Sequence, residues 1–181
     1  GSFKVGGMFA GEVIVLGHVG SFSAASIDGG LMLASGLVGS FTTGTAAEAT
    51  LWAGSVGKVN IGSILNLEVG AGASFTADQF GAISEGDGSA VAWGAGSIAD
   101  IKVKGDTVRA RFAAGVNPVN GVLLDNDDLA AGNGAIGRIT LAGPASDILF
   151  AAVTLPGQVR IGADRILTLE DDRFLVLEPL S

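Results

Sequence analysis

Val19-Gly20-Ser21-Phe22, Val38-Gly39-Ser40-Phe41 and Val56-Gly57-Lys58-Val59 are one phrase written three times. Ile98-Ala99-Asp100-Ile101 and Ile136-Gly137-Arg138-Ile139 repeat its pattern further along. The intervals are 19, 18, 42 and 38 residues, each close to one or two units of about nineteen, and a fixed period near twenty marks a repeat architecture. In such folds a unit cannot bury its apolar face alone and does so by stacking on the next.

Around the phrase the apolar residues alternate with others. Val56, Val59 and Ile61 are followed, after Gly62-Ser63, by Leu65, Leu67 and Val69. Ile98, Ile101 and Val103 lead through Gly105-Asp106 to Val108, Ala110 and Phe112, and Ile136, Ile139 and Leu141 lead through Gly143-Pro144 to Ile148 and Phe150. Period-two alternation over short runs, broken by glycine or proline corners, reads as half-buried strands. Wound at a fixed period, they predict an all-β, single parallel β-solenoid over residues 1–181. About nine coils of roughly 18–20 residues, at ~4.8 Å per coil, give a rod on the order of 40 Å. Apolar residues do not recur at every sixth position from Val38 onward, which favours a right-handed over a left-handed helix. Ala46–Ala53 has helical propensity, but the surrounding period reads it as strand.

Two places break the rhythm, near 76–97 and 116–134, and are expected to be loop excursions on the working side of the rod. The first contains Glu85-Gly86-Asp87-Gly88-Ser89 and the second Asp125-Asn126-Asp127-Asp128. The chain ends in a more charged terminal segment, 163–181, of which Leu167–Ser181 reads as a final pair of strands covering the open end. The chain opens in mid-pattern, as an excised piece of a longer protein would. Its first residues lack the charged and apolar regions of a signal peptide, which is therefore expected to be absent or removed.

Composition agrees with this fold. Of 181 residues, 30 are glycine, 48% are hydrophobic and only 15% charged, which argues against disorder and suits a chain of many tight corners. There is no cysteine, hence neither a disulfide framework nor a thiolate metal site. A net charge of −8 argues against general nucleic-acid binding, and no apolar run is long enough for a membrane helix.

With its Ile-Gly-x-Ile-x-Val/Leu phrase, Gly corners and loops such as Ala114–Val122 and Asp125–Asp128, the chain resembles the β-strand repeats of very large bacterial surface proteins. It is similar in this to filamentous-haemagglutinin-type and autotransporter-type adhesins, from about Val19 to Gly162. The resemblance implies an extracellular or cell-surface location and a structural or adhesive role, and it carries over no catalytic residue.

Candidate chemistry is sparse. Gly132-Asn133-Gly134-Ala135-Ile136-Gly137 matches a dinucleotide-binding G-x-G-x-x-G, but a strand follows it where that site needs a helix, so it reads as a corner. Asp125, Asp127 and Asp128 offer hard oxygens to Ca²⁺, against the plainer reading of a solvated acidic turn; Glu85 and Asp87 make a weaker pair. His18 is the only histidine, and no Gly-x-Ser-x-Gly elbow accompanies it. Asp28, Glu48, Asp78, Asp100 and Asp147 are scattered singly, without the paired carboxylates of a glycosidase. Trp52 and Trp93 are candidates for an exposed sugar platform, with Asn117 and Asn120 as further ligand contacts; the plainer reading buries both tryptophans. Lys102, Lys104, Arg109 and Arg111 are expected on the outward side of one coil.

Two functional readings remain open at this point. The first is a non-enzymatic module, without a cofactor unless the acidic loop takes Ca²⁺. It would form a rigid rod for display, associate end to end through unpaired strand edges, or meet a surface glycan or protein receptor. The second is a β-helix that binds or cleaves carbohydrate.

Overall fold

Along Val19–Asp28 the buried residues are Val19, Phe22, Ala24 and Ile27, spaced three, two and three apart. A spacing of two is a straight strand. A spacing of three leaves two successive residues facing out, which turns the chain at Gly20-Ser21 and again at Ala25-Ser26. The same rhythm recurs at Ile98, Ile101 and Val103, and at Ile136, Ile139 and Leu141. The phrase is thus a corner followed by a strand.

The computed structural model describes residues 1–79, 82–83, 90–118, 123–124, 129–167 and 171–178. Its strands are β1 (Ser2–Phe9), β2 (Glu12–Val15), β3 (Val19–Asp28), the long, bent β4 (Leu31–Ala71), β5 (Ala73–Ser74) and β6 (Ala92–Trp93). They continue as β7 (Ser97–Val103), β8 (Thr107–Ala114), β9 (Val116–Asn117), β10 (Leu129–Ala130) and β11 (Ala135–Leu141). The last are β12 (Ala145–Ala152), β13 (Gln158–Ile161), β14 (Asp164–Leu167) and β15 (Phe174–Val176). The protein is all-β, and Ala46–Ala53 lies within β4.

Each phrase sits on the one before it. Val19 pairs Val38 and Phe22 pairs Phe41 in the parallel β3–β4 ladder. Within β4, Gly57 stands against the Gly39 carbonyl and Gly62 against that of Gly44, so its two passes also lie one over the other. Val56 then pairs Ile98 directly, and Ile98 pairs Ile136. The 42- and 38-residue intervals are therefore single steps of the ladder. Each carries its extra residues in an excursion instead of a second coil, which corrects the expected nine coils. Phe3, Phe22, Phe41, Val59, Ile101, Ile139 and Val159 mark seven levels, or about 30 Å from first to last at ~4.8 Å a step.

The main sheet has 11 strands and is mixed. Its ladders are parallel from β1 to β13, but β14 returns antiparallel along β13. Small antiparallel pairs, β5–β6 and β9–β10, belong to the excursions. The architecture thus departs from the expected all-parallel ladder at one end and in both insertions.

Inside, like stacks on like. The row Val19, Val38, Val56, Ile98, Ile136 is fully buried, and each such side chain removed from water contributes about 1.5–3 kcal/mol. Phe112, Phe150 and Phe174 form a parallel stack with ring centroids 5.1 and 5.0 Å apart, and Phe22 stacks on Phe41 at 5.5 Å. Those separations are close to the ~4.7–4.9 Å between strands, as expected when neighbouring backbones carry the same ring in register.

Of the strands near the end, β15 lies within Leu167–Ser181, where a pair was expected, while β14 ends where that segment begins. Phe174 reaches its place under Phe150 through a local clamp. Asp171 Oδ1 accepts from the Arg173 backbone N–H at 3.0 Å and from Nε at 2.7 Å, and its Oδ2 accepts from Nη2. The Arg173 carbonyl in turn accepts from Phe150 N–H at 2.8 Å. The Arg173 side-chain hydrogen bonds hold the Asp171 carboxyl below its ordinary range, against a smaller opposing effect of burial. A carboxyl depressed by folding contributes stability above its unfolded pKa and loses it as pH falls through the folded one. Asp171→Asn should therefore weaken the fold near neutral pH by about 1 kcal/mol. Its difference from wild type should shrink below about pH 4. Urea midpoints at neutral and acid pH check both; a difference that persists in acid would deny the clamp its role.

Candidate functional site

The sheet that carries Ile14, Leu33, Trp52, Gly70, Ala113 and Ala151 in one outward row would, in a plain repeat, show that row to water. It is covered instead. Leu33, Trp52, Ala113 and Ala151 join Ala73, Phe75, Ile83, Val91, Val116 and Leu123 in a second buried cluster, separate from the larger core on the sheet's other face. Six of these ten residues come from the excursions, whose described parts fold back over the sheet face. At this face the described parts of both loops serve as a lid of apolar side chains, while the stretches expected to make contacts, 85–89 and most of 116–128, lie outside the described residues.

Trp52 and Trp93 belong to this lid. Their rings meet edge to face with centroids 5.3 Å apart. Trp52 is 9% exposed and Trp93 partly buried, so they offer no open platform for a sugar ring. Gly70 makes the pairing fit: a Cβ there would lie 2.9 Å from the Trp93 ring and 3.1 Å from the Trp52 ring. Trp52 Nε1 is buried without a hydrogen-bond partner, a deficit of about 1–3 kcal/mol that the packing must offset.

Both excursions leave and return at one corner of the ladder. The first leaves after Gly72 and returns through Gly94 and Gly96; the second leaves after Gly115 and returns through Gly132 and Gly134. Gly72 N–H donates to Ala53 O at 2.8 Å, and Gly115 N–H donates to Ala71 O at 2.9 Å. Any Cβ on Gly134 would collide with the Ala114 carbonyl and the Gly115 nitrogen, both backbone. The G-x-G-x-x-G match is accordingly the root of a loop followed by strand β11, as its context predicts.

The remaining candidates disperse. Asp125, Asp127, Asp128 and Asn120 lie outside the described residues, as do Glu85 and Asp87. Asn117 pairs Leu129 in the β9–β10 ladder and is half-buried. Among the described residues no three His, Asp or Glu side chains gather as a metal site. His18 is an exposed corner residue whose Nδ1 accepts from Leu37 N–H at 2.8 Å.

Glu48 and Asp147 fall with Asn66 and Arg109 in a single corner row, where Gly29 opens the series and every residue has positive φ. Asn66 Nδ2 donates to Glu48 at 2.6 Å, the Arg109–Glu48 ion pair spans 3.9 Å, and Arg111 donates to Asp147 Oδ1 at 2.9 Å. These are links between levels, not an acid–base pair. The four-residue basic cluster therefore splits: Arg109 and Arg111 serve this corner, while Lys102 faces outward from the phrase strand among cations of other levels. That second grouping, Lys58, Lys102, Arg138 and Arg160, is the feature that reading along the chain misses. Aligning the second and fourth positions after each phrase valine would have revealed it.

No family model matches the chain, and no curated protein or solved structure matches it.

Two substitutions test this site. Gly134→Ala should lower stability by about 1–3 kcal/mol in urea titrations, because backbone atoms on both sides must move. Gly70→Val should disturb the Trp pair, flattening the near-ultraviolet circular dichroism while the strand signal in the far ultraviolet stays. An unchanged near-ultraviolet spectrum would show that the rings do not pack over Gly70.

Proposed function

We propose that the chain is a structural module, a right-handed parallel β-solenoid segment of a bacterial extracellular surface protein, serving rigidity, reach and display. It performs no catalysis and needs no cofactor for this role. The observation that carries the reading is the direct pairing of Val19 with Val38, Val56 with Ile98 and Ile98 with Ile136. Successive phrases connected this way are successive turns of one ladder, and parallel strands joined by crossovers are right-handed in nearly all folds. Hydrogen bonds along the axis and stacked aliphatic rows across it resist both bending and proteolysis.

The two ends differ. Strand β1 pairs with β3 along one edge, and its other edge is the natural place for end-to-end association. At the far end β14 reverses against β13 and interrupts the parallel register.

A solenoid tolerates the loss of a whole turn, because its stability is a sum over levels and their interfaces. A closed barrel does not. Deleting residues 20–38, which joins Val19 to Gly39 and leaves the next phrase intact, should give a folded protein with the same strand signal. Its urea midpoint should fall, and its long axis by small-angle scattering should shorten by ~4.8 Å. An unfolded product would count against the solenoid reading.

A further inference from the structure

Six of the ten basic residues, Lys4, Lys58, Lys102, Arg138, Arg160 and Arg165, fall on one face of an acidic protein. The face is the outer side of the phrase strands, opposite their buried aliphatic rows. Two residue rows cross it parallel to the axis. The first runs through Ser21, Ser40, Lys58, Asp100 and Arg138. The second starts at Lys4 and runs through Ser23, Thr42, Asn60, Lys102 and Thr140 to Arg160, where Arg165 stands directly opposite. All six cations are exposed. On these rows Asp100 is the one carboxylate among the described residues, and it sits 3.6 Å from Arg138. Among the described residues Lys4, Lys58 and Lys102 make no ion pair.

We infer that this face binds a linear acidic polysaccharide laid along the ladder. From Lys58 onward its cations recur every one or two levels, about 5–10 Å apart, since each level advances ~4.8 Å, and Lys4 lies three levels before Lys58. Charges on an extended uronate chain are spaced on the same scale. Hydroxyl and amide groups at Ser23, Thr42, Asn60 and Thr140 stand between the cations, where they meet sugar hydroxyls. The guanidinium forks of Arg138 and Arg160 match carboxylates in two-point geometry. No aromatic ring lies on either row, so bases find nothing to stack on, and the acidic remainder repels a broad duplex more than a thin glycan confined to the stripe. Net charge alone conceals this surface.

The test uses polygalacturonate as probe, with dextran as the neutral polymer and a thymidine oligonucleotide as the alternative polyanion, at low ionic strength. Polygalacturonate should bind, dextran should not, and Lys102→Gln should weaken binding while Arg109→Gln, an equal loss of charge at the other corner, leaves it unchanged. The double variant Lys58→Gln with Lys102→Gln should lose about tenfold in affinity and lower the slope of log affinity against log salt by about two. These side chains point into water, so melting curves should match wild type. The inference is overturned if polygalacturonate does not bind, if Arg109→Gln weakens it as much as Lys102→Gln, or if dextran binds equally. Tighter binding of the oligonucleotide would overturn it in favour of nucleic acid. The inference goes beyond the display role: deleting residues 20–38 removes none of Lys58, Lys102 or Arg138, so the two ideas fail separately.

Discussion

Everything in this molecule follows from one constraint: each residue of a phrase strand lies directly over the equivalent residue of the next level, about one strand spacing away. Like must then stack on like. Inside, this favours Val and Ile columns and lets Phe112, Phe150 and Phe174 pile up as parallel rings. At the corners it forces a shared backbone conformation. Gly29, Glu48, Asn66, Arg109 and Asp147 all adopt positive φ because each must turn where its neighbour turns. For side chains other than glycine that conformation is unfavourable, so ladder hydrogen bonds and the Glu48–Asn66 and Arg111–Asp147 links have to offset it.

A sheet with two faces needs both of them covered or made polar. The phrase strands solve this with Ser, Thr and Lys outside. The opposite strands do not, since Leu33, Trp52, Ala113 and Ala151 point away from the larger core. The excursions are the answer to that second apolar row. Phe75, Ile83, Val91, Val116 and Leu123 descend onto it, and the protein acquires a second core outside its first. The glycines at the loop roots exist for the same reason, because two chains must leave and re-enter the ladder at one crowded corner.

The strand rhythm, the corners, most of the inward positions and the strand that follows Gly132–Gly137 were legible in the residues. Each depends on local alternation and on glycine. Leu65, however, expected in the inward series, is exposed and Ile64 is buried in its place. The number of levels was not legible, because 42 and 38 look like two periods, and only pairing shows that Val56 meets Ile98 without an intervening strand. What covers the Trp pair was not legible for a related reason. Spacing locates Trp52 and Trp93 relative to the phrase, but it does not say that a loop will lie across them. Charge was the least legible property: Lys102, Lys104, Arg109 and Arg111 are adjacent in the chain, yet the corner at Gly105-Asp106 sends them to different sides.

Stacking also limits how charge can be arranged on the polar face. Like charges directly opposite one another on adjacent strands destabilise a sheet by a few tenths to about 1 kcal/mol, and a continuous lysine column would sum that repulsion over every level. The rows avoid it. Asp100 separates Lys58 from Arg138 in one, while Asn60 and Thr140 flank Lys102 in the other. Only Arg160 and Arg165 stand opposed, at the edge where β14 reverses and solvent screening is greatest. The face therefore carries its positive charge with few like charges directly opposed. An acidic chain lying along it would neutralise both rows at once, relieving repulsion that the fold otherwise holds in check by spacing.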